Sequence, residues 1–177
     1  MGAVSNVPPI LPGSYLTSAQ GALYIPLLGN VYKLGTEWFR FVQAGASDLP
    51  INTVVVSGRT TGVQNFVVTA PLLAANPDVV GVIPEEYTAV IPASSYFLVQ
   101  ISGSALVVTS DTTVIHTSGT EFRLVTSSAN SGQAKAATTY TTSSTTDDAG
   151  VFAIATNSAV ATAAGQTIRC FITGLGY

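Results

Sequence analysis

The chain has 177 residues and a net charge of -3, and 47% of its residues are hydrophobic whereas only 8% are charged. This balance excludes a disordered chain, which is poor in apolar residues and rich in charge, and it excludes a coiled coil or helical bundle, which needs many Glu, Lys and Arg. Six Lys and Arg against nine Asp and Glu argue against nucleic-acid binding through phosphate contacts, and a single cysteine rules out an internal disulfide framework.

The surface must be covered largely by hydroxyl groups and small side chains, because Ser and Thr together number 40. A free monomer usually keeps its net charge away from zero and its apolar patches small. A net charge of -3 protects a free monomer only weakly against association. The composition therefore favours a protein that buries part of its surface against partner chains over a plain monomer kept soluble by Ser and Thr.

Residues 1–30 are predicted to form an extended apolar arm, and residues 31–177 a single β domain. The arm contains Pro8, Pro9 and Pro12, which are stiff and cannot donate hydrogen bonds to a sheet. The first charged residue of the chain is Lys33, so the arm carries no charged side chain. An apolar arm is unfavourable in water, so it lies either on its own core or on a neighbouring chain. Both alternatives remain open, and we expect contacts that leave the domain.

The start of the chain has no positively charged region followed by an uninterrupted apolar stretch, so no targeting segment is predicted. The apolar run at residues 22–28 is too short to span a bilayer and contains Pro26. We expect the protein to be made in the cytoplasm and to have no membrane partner.

From residue 31 onward, Val, Ile, Thr, Phe and Tyr dominate short runs that are separated by Gly, Asn, Asp and Ser. This pattern predicts an all-β fold, a small barrel or sandwich of short antiparallel strands. The last strand alternates most cleanly, with Ile168, Cys170 and Ile172 facing inward. The predicted strands are residues 38–42, 53–56, 65–69, 96–101, 105–109, 121–125, 151–155 and 167–173.

Evidence for helix is thin. Residues 134–137 and 159–164 contain good helix formers, but both stretches are short. Residues 138–148 have no apolar period and are predicted to form an extended loop or edge strand. Residues 76–86 are predicted to form another loop.

No residues form a recognisable catalytic, cofactor or metal site. His116 is the only histidine, and no serine-nucleophile motif accompanies it, so it is interpreted as an ordinary turn residue. Cys170 lies on the apolar side of its predicted strand and is interpreted as a core residue rather than a reactive thiolate.

The carboxylates also lack a catalytic arrangement. Glu85 and Glu86 are adjacent, as are Asp147 and Asp148, and adjacent side chains on an extended segment point to opposite sides. They are interpreted as solvated loop residues. The glycines form neither a phosphate-binding loop nor a dinucleotide fingerprint. The sequence thus predicts no enzyme and no cofactor.

Three stretches resemble the small β-rich decoration, or cement, proteins on the heads of tailed bacteriophages. They are residues 34–45; residues 91–103 together with 105–108; and residues 150–155 together with 163–172. They are similar to the barrel strands and turns of that family, in the same order, and cover less than half of the chain. The arm and residues 138–148 have no counterpart in the resemblance.

The resemblance implies a virion protein on the capsid surface that binds the major capsid protein and adds contacts between shell subunits. It also implies a homotrimer, because members of this class often stand as trimers where capsid subunits meet. Other classes remain open: another β-rich virion component such as a head-fibre or tail subunit, a carbohydrate-binding β module, or a hydrolase that uses His116. A carbohydrate module would favour a row of exposed aromatics, but Trp38 is the only tryptophan.

Overall fold

The computed structural model describes residues 7–58, 66–71, 78–110, 122–126, 131–136, 151–155 and 165–173. Its helical elements are α1 (Ser18–Gly21) and a 3₁₀ helix (Ala22–Leu27). Ten strands follow: β1 (Val31–Leu34), β2 (Glu37–Ala44), β3 (Val54–Ser57), β4 (Val67–Thr69), β5 (Val79–Val82), β6 (Tyr96–Val108), β7 (Phe122–Thr126), β8 (Ala134–Ala136), β9 (Ala153–Ala155) and β10 (Thr167–Ile172).

Five strands close a small barrel, in the order β2, β4, β3, β5, β6 and back to β2. The prediction of an all-β fold built on a small barrel is confirmed. All barrel pairs are antiparallel except β2 with β4, which run parallel and pair Gln43 with Val67. β1 pairs with β2 as an antiparallel hairpin strand outside the closed ring.

Alternation along β2 and β6 separates the barrel interior from its outer wall. Val42 and Val99 pack in one buried cluster with Val55 and Val68, which form the interior. Phe41 and Leu98, the sequence neighbours of Val42 and Val99, belong to a different cluster on the outer wall. The barrel wall is therefore apolar on both sides, and its outer surface must be covered.

A second sheet grows from the barrel through β6, which is long enough to serve both layers. Its first half pairs with β2, and residues 103–108 pair with β10, followed in the sheet by β9, β7 and β8. Gly103 lies at the change of partner with φ +106°, a conformation that side chains disfavour, so the strand bends there. The buried Gln100 amide donates to the carbonyls of Ser102 (3.3 Å) and Ser104 (3.0 Å) and holds the bend.

This second sheet covers the outer wall of β3 and β5. Val54 and Val82 of the barrel share one buried cluster with Phe152, Ile168 and Ile172 of the sheet. β10 alternates as predicted, with Ile168, Cys170 and Ile172 buried and Thr167, Arg169 and Phe171 exposed. The apolar period of this strand was thus a correct guide to which of its faces is covered.

Two local predictions differ from the structure, and one stretch for which the sequence offered only thin evidence of helix is a strand. Residues 79–82 lie in the predicted loop 76–86 but form β5, because Val79, Val80 and Val82 suit a strand although it contains Gly81 and lies between Pro77 and Pro84 in the sequence. Residues 134–136, which contain good helix formers, form the edge strand β8. The two strands predicted at 96–101 and 105–109 are one strand, because Gly103 bends β6 without ending it.

Candidate functional site

The single cysteine, Cys170, lies in the core. Cys170 is fully buried, and burial raises the pKa of its thiol to about 12, against a smaller lowering by the charge of Arg169. A thiol of this kind is protonated and inaccessible at neutral pH. His116, Asp147, Asp148 and the predicted loop 138–148 lie outside the described residues.

Three carboxylates and one guanidinium form an exposed cluster where β2, β10 and the segment after β5 meet. Arg169 donates to both carboxylate oxygens of Glu85, at 3.1 and 3.3 Å, and to Ser104 Oγ at 3.2 Å. The pKa of Glu37 is raised, first by burial and then by the charges of Glu86 and Glu85. Within the described ranges, no three His, Cys, Asp or Glu side chains are placed to hold a metal ion.

An open cleft of about 450 Å³ lies between the ends of β2 and β4 and the turn before β8. Its lining includes Asp48, Leu49, Thr69 and Ser131. Among the lining residues that the structure describes, Asp48 is the one titratable side chain, and its Oδ1 accepts a hydrogen bond of 2.8 Å from the Ala93 amide.

The most distinctive surface belongs to residues 7–30, the described part of the arm. This segment covers the outer wall of β2 and β6, where Phe39, Phe41 and Leu98 are buried. Leu16 and Tyr96 exchange two backbone hydrogen bonds, at 2.8 and 2.9 Å, so the arm is joined to the start of β6. The side chains that pack on this wall are Ile10, Leu16, Tyr24, Leu27 and Leu28.

A buried tyrosine ties the arm to the barrel from the other side. The Tyr87 hydroxyl donates to the Ser14 carbonyl at 3.0 Å and accepts from the Leu98 amide at 3.1 Å. Burial raises the pKa of Tyr87 well above its ordinary value, so the phenol remains a donor at every relevant pH. The arm is therefore tied to β6 through Tyr87 as well as through Leu16.

Close packing of a glycine fixes the distance between arm and barrel. A Cβ at Gly21 would lie 1.9 Å from the Tyr96 ring, so a glycine lets the end of α1 lie directly on the aromatic face. Tyr96 in turn stacks on Phe41, with 6.1 Å between ring centroids. Any side chain at position 21 would lift the arm or displace these two rings.

The arm was predicted to be extended, but part of it is helical. Thr17 caps α1: its Oγ1 accepts from the Gln20 amide, and the Gln20 side chain accepts from the Thr17 amide at 3.0 Å. This is a capping box, and the Thr17–x–x–Gln20 spacing could have revealed it in the sequence. The prolines favour an extended chain, but they lie mainly before residue 13, so they do not prevent the helices that follow.

The side of the arm that faces away from the barrel is also apolar. Among the described residues, five of the seven large apolar side chains that are exposed lie here, and we call them the outer arm face: Val7, Leu11, Tyr15, Leu23 and Ile25. Leu23 is 83% exposed and Ile25 52%. No charged residue precedes Lys33, so this surface has no ionic groups of its own.

The two alternatives for the arm are therefore combined within one segment. Its inner side packs on its own barrel, as expected for an arm that belongs to its own core. Its outer side exposes large apolar side chains, and contact of this side with another chain remains a prediction. Monomers expose single apolar residues routinely, whereas a concentration in one segment indicates an interaction site.

Comparisons with protein-family models, with curated proteins and with solved structures find no match to this chain. Among the described residues, no helix has the length and apolar character needed to cross a membrane.

Proposed function

We propose that this protein is a non-enzymatic virion structural protein, a decoration or cement protein that binds the outside of a phage head. It binds the major capsid protein, reinforces contacts between shell subunits and stands on the capsid surface as a homotrimer. It is made in the host cytoplasm and needs no cofactor. The observation that carries this proposal is the outer arm face, an uncharged apolar surface on a segment that is packed and hydrogen-bonded onto the barrel.

Binding energy is available from this surface. Full burial of one Leu or Ile side chain is worth roughly 1.5–3 kcal/mol, and the face offers Leu11, Leu23 and Ile25. The arm is already held by Tyr87, Leu16 and Gly21, so little conformational entropy is lost when it docks. A surface of this kind suits a protein whose task is to add contacts between neighbouring subunits.

A head-fibre or tail subunit is the second candidate, since it would use the same apolar surface in a different assembly. A carbohydrate-binding module is less well supported, because the exposed aromatic residues that the structure describes do not form a row. The cleft beside Asp48 contains no aromatic side chain among its described lining residues.

The test is co-sedimentation of the purified chain with assembled phage heads that lack decoration protein. We expect saturable binding to the heads, and Ile25→Ser should weaken it about tenfold because a half-exposed apolar contact is lost. Val90→Ser is the matched control, since Val90 is 48% exposed but lies outside the arm. Equal weakening by both substitutions, or no binding to heads, would remove the support for this function.

A further inference from the structure

The arm is held on the barrel mainly by apolar packing. Residues 8–28 are hydrogen-bonded to the described part of the barrel through the Leu16–Tyr96 backbone pair. The second link is the bond of 3.0 Å from the Tyr87 hydroxyl to the Ser14 carbonyl. By comparison, β10 pairs with β6 at six consecutive positions. Segments with few hydrogen bonds to the rest of a protein open at a lower free energy than a sheet does.

The arm ends at a defined point beside β2. The Gly29 amide donates to the Phe41 carbonyl at 2.8 Å, and the Asn30 carbonyl accepts from the Phe41 amide at 3.0 Å. A Cβ at Gly29 would lie 2.1 Å from the Phe66 ring, so this position is also closely packed. Residues 29 and 30 therefore belong to the sheet, and an arm that opens turns at Leu28 and leaves β1 in place.

The wall beneath the arm contains a buried hydroxyl group without a partner. Tyr32 in β1 is 3% exposed, and among the described residues its hydroxyl has no hydrogen-bond partner. Tyr32 belongs to the same buried cluster as Phe39, Phe41 and Leu98, and all but one of the partly buried side chains that pack on this cluster come from the arm. The closed arm thus keeps the hydroxyl from water, and an open arm lets water reach it.

The two buried tyrosines near the arm act on it in opposite directions. A hydroxyl that is buried without a partner destabilises the state that buries it, and here that state is the closed arm. The hydroxyl of Tyr87, in contrast, donates to Ser14 of the arm and accepts from Leu98 of the barrel. Tyr32 therefore favours an open arm, whereas Tyr87 favours a closed one.

We propose that the arm is a strap that opens from the barrel as a unit, turning at Leu28, while the barrel and the second sheet stay folded. The closed state is the dominant one, and the open state is a minor population in equilibrium with it. Opening uncovers the apolar wall of β2 and β6, including Phe41 and Leu98. This inference concerns the isolated chain and does not rest on binding to phage heads.

The experiment is amide hydrogen exchange of the full chain, with each rate corrected for its intrinsic value. In the wild type, the amides of Leu16 and Tyr96, which join arm and barrel, should exchange about tenfold faster than the Cys170 amide in β10.

Tyr32→Phe should slow exchange of the Leu16 amide about tenfold, because the closed arm then buries no unsatisfied hydroxyl. Tyr87→Phe is the matched control, since it removes the same atom from the other buried tyrosine. It should instead accelerate exchange of the Leu16 amide about tenfold, because the bonds to Ser14 and Leu98 are lost.

Two results would overturn the proposal. If the amides of Leu16, Tyr96 and Cys170 exchanged equally in the wild type, the arm would leave the barrel only when the whole fold unfolds. If Tyr32→Phe left exchange of the Leu16 amide unchanged or faster, the hydroxyl would not favour the open state. Circular dichroism establishes that both variants are folded, and the wild-type comparison tests separate opening of the arm even if a variant is not.

Discussion

Two covers close the outer wall of one barrel, and they are built differently. The second sheet covers β3 and β5 with small and branched residues such as Ala153, Cys170 and Ile172, and β10 turns a largely polar side outward. The arm covers β2 and β6 with turns and short helices that lie on aromatic rings, and its outer side is apolar. Among the described residues, one large apolar side chain of the second sheet is exposed, Phe171, against five in the arm.

The largest effects are expected from truncating one buried phenylalanine under each cover. Phe41→Ala and Phe152→Ala should each lower the free energy of unfolding by about 3–5 kcal/mol, because both rings are fully buried. The local consequences should differ: Phe41→Ala speeds proteolysis within residues 7–30, whereas Phe152→Ala speeds alkylation of Cys170. Urea unfolding, limited proteolysis and thiol labelling measure these effects. If each variant opened both covers equally, the covers would not be independent.

A smaller effect is expected from filling the contact between the arm and Tyr96. Gly21→Ala should cost about 1–3 kcal/mol of stability, because its Cβ would overlap the ring. Gly165→Ala is the comparison on the second-sheet side, where nothing lies within 4 Å and only the strain of φ +85° applies, about 1 kcal/mol. Thermal unfolding of both variants checks the order, and an equal loss would mean that the arm moves aside freely.

Removing the tyrosine hydroxyl that ties the arm to β6 should cost about 1–2 kcal/mol. Tyr87→Phe leaves the Leu98 amide and the Ser14 carbonyl without this partner while the ring still fills its place. Hydrogen exchange of the Leu98 amide should accelerate more than that of amides in β10. Unchanged exchange at Leu98 would show that water replaces the hydroxyl without loss.

The smallest effect concerns Glu37, whose carboxylate lies near Glu85 and Glu86. Its raised pKa means that the folded state favours the protonated carboxyl, so the stability that it contributes is present below the unfolded pKa and is lost as pH rises through the folded one. Glu37→Gln should therefore raise stability by about 0.3 kcal/mol at pH 7 and by nothing at pH 3. Urea unfolding of dilute protein at both pH values measures this, and a gain that persists at pH 3 would contradict the charge explanation.

The sequence predicted strands best where one face alone is buried. β10 alternates residue by residue, and its inward set was identified correctly because Ile168, Cys170 and Ile172 share one parity. β5 escaped prediction because it is a short run between Pro77 and Pro84 with Gly81 inside it, and Val80, Gly81 and Val82 are all buried, so it shows no alternation. A strand buried in this way cannot be distinguished by period from an apolar loop.

The candidate site was predicted in part. Its apolar and uncharged character follows directly from residues 1–30, but the division into an inner and an outer side does not. That division depends on the Thr17–Gln20 capping box, which starts α1, and on partners distant in sequence such as Tyr87 and Tyr96. The contact of Arg40 with Phe66 was equally hidden, because it requires the barrel to be closed.

The shared strand β6 has a consequence for the nascent chain. The barrel is complete once residues up to about 102 have been synthesised, since all five of its strands lie before the bend at Gly103. The second half of β6 has no partner strand until β10, the last of the ten strands, is made. Until then the backbone groups of β6 that pair with β10, and the apolar side chains of Ala105 and Val107, stay uncovered. An unpaired apolar edge of this kind is prone to pair with other chains, so the interval between these two strands is the time of greatest aggregation risk during synthesis.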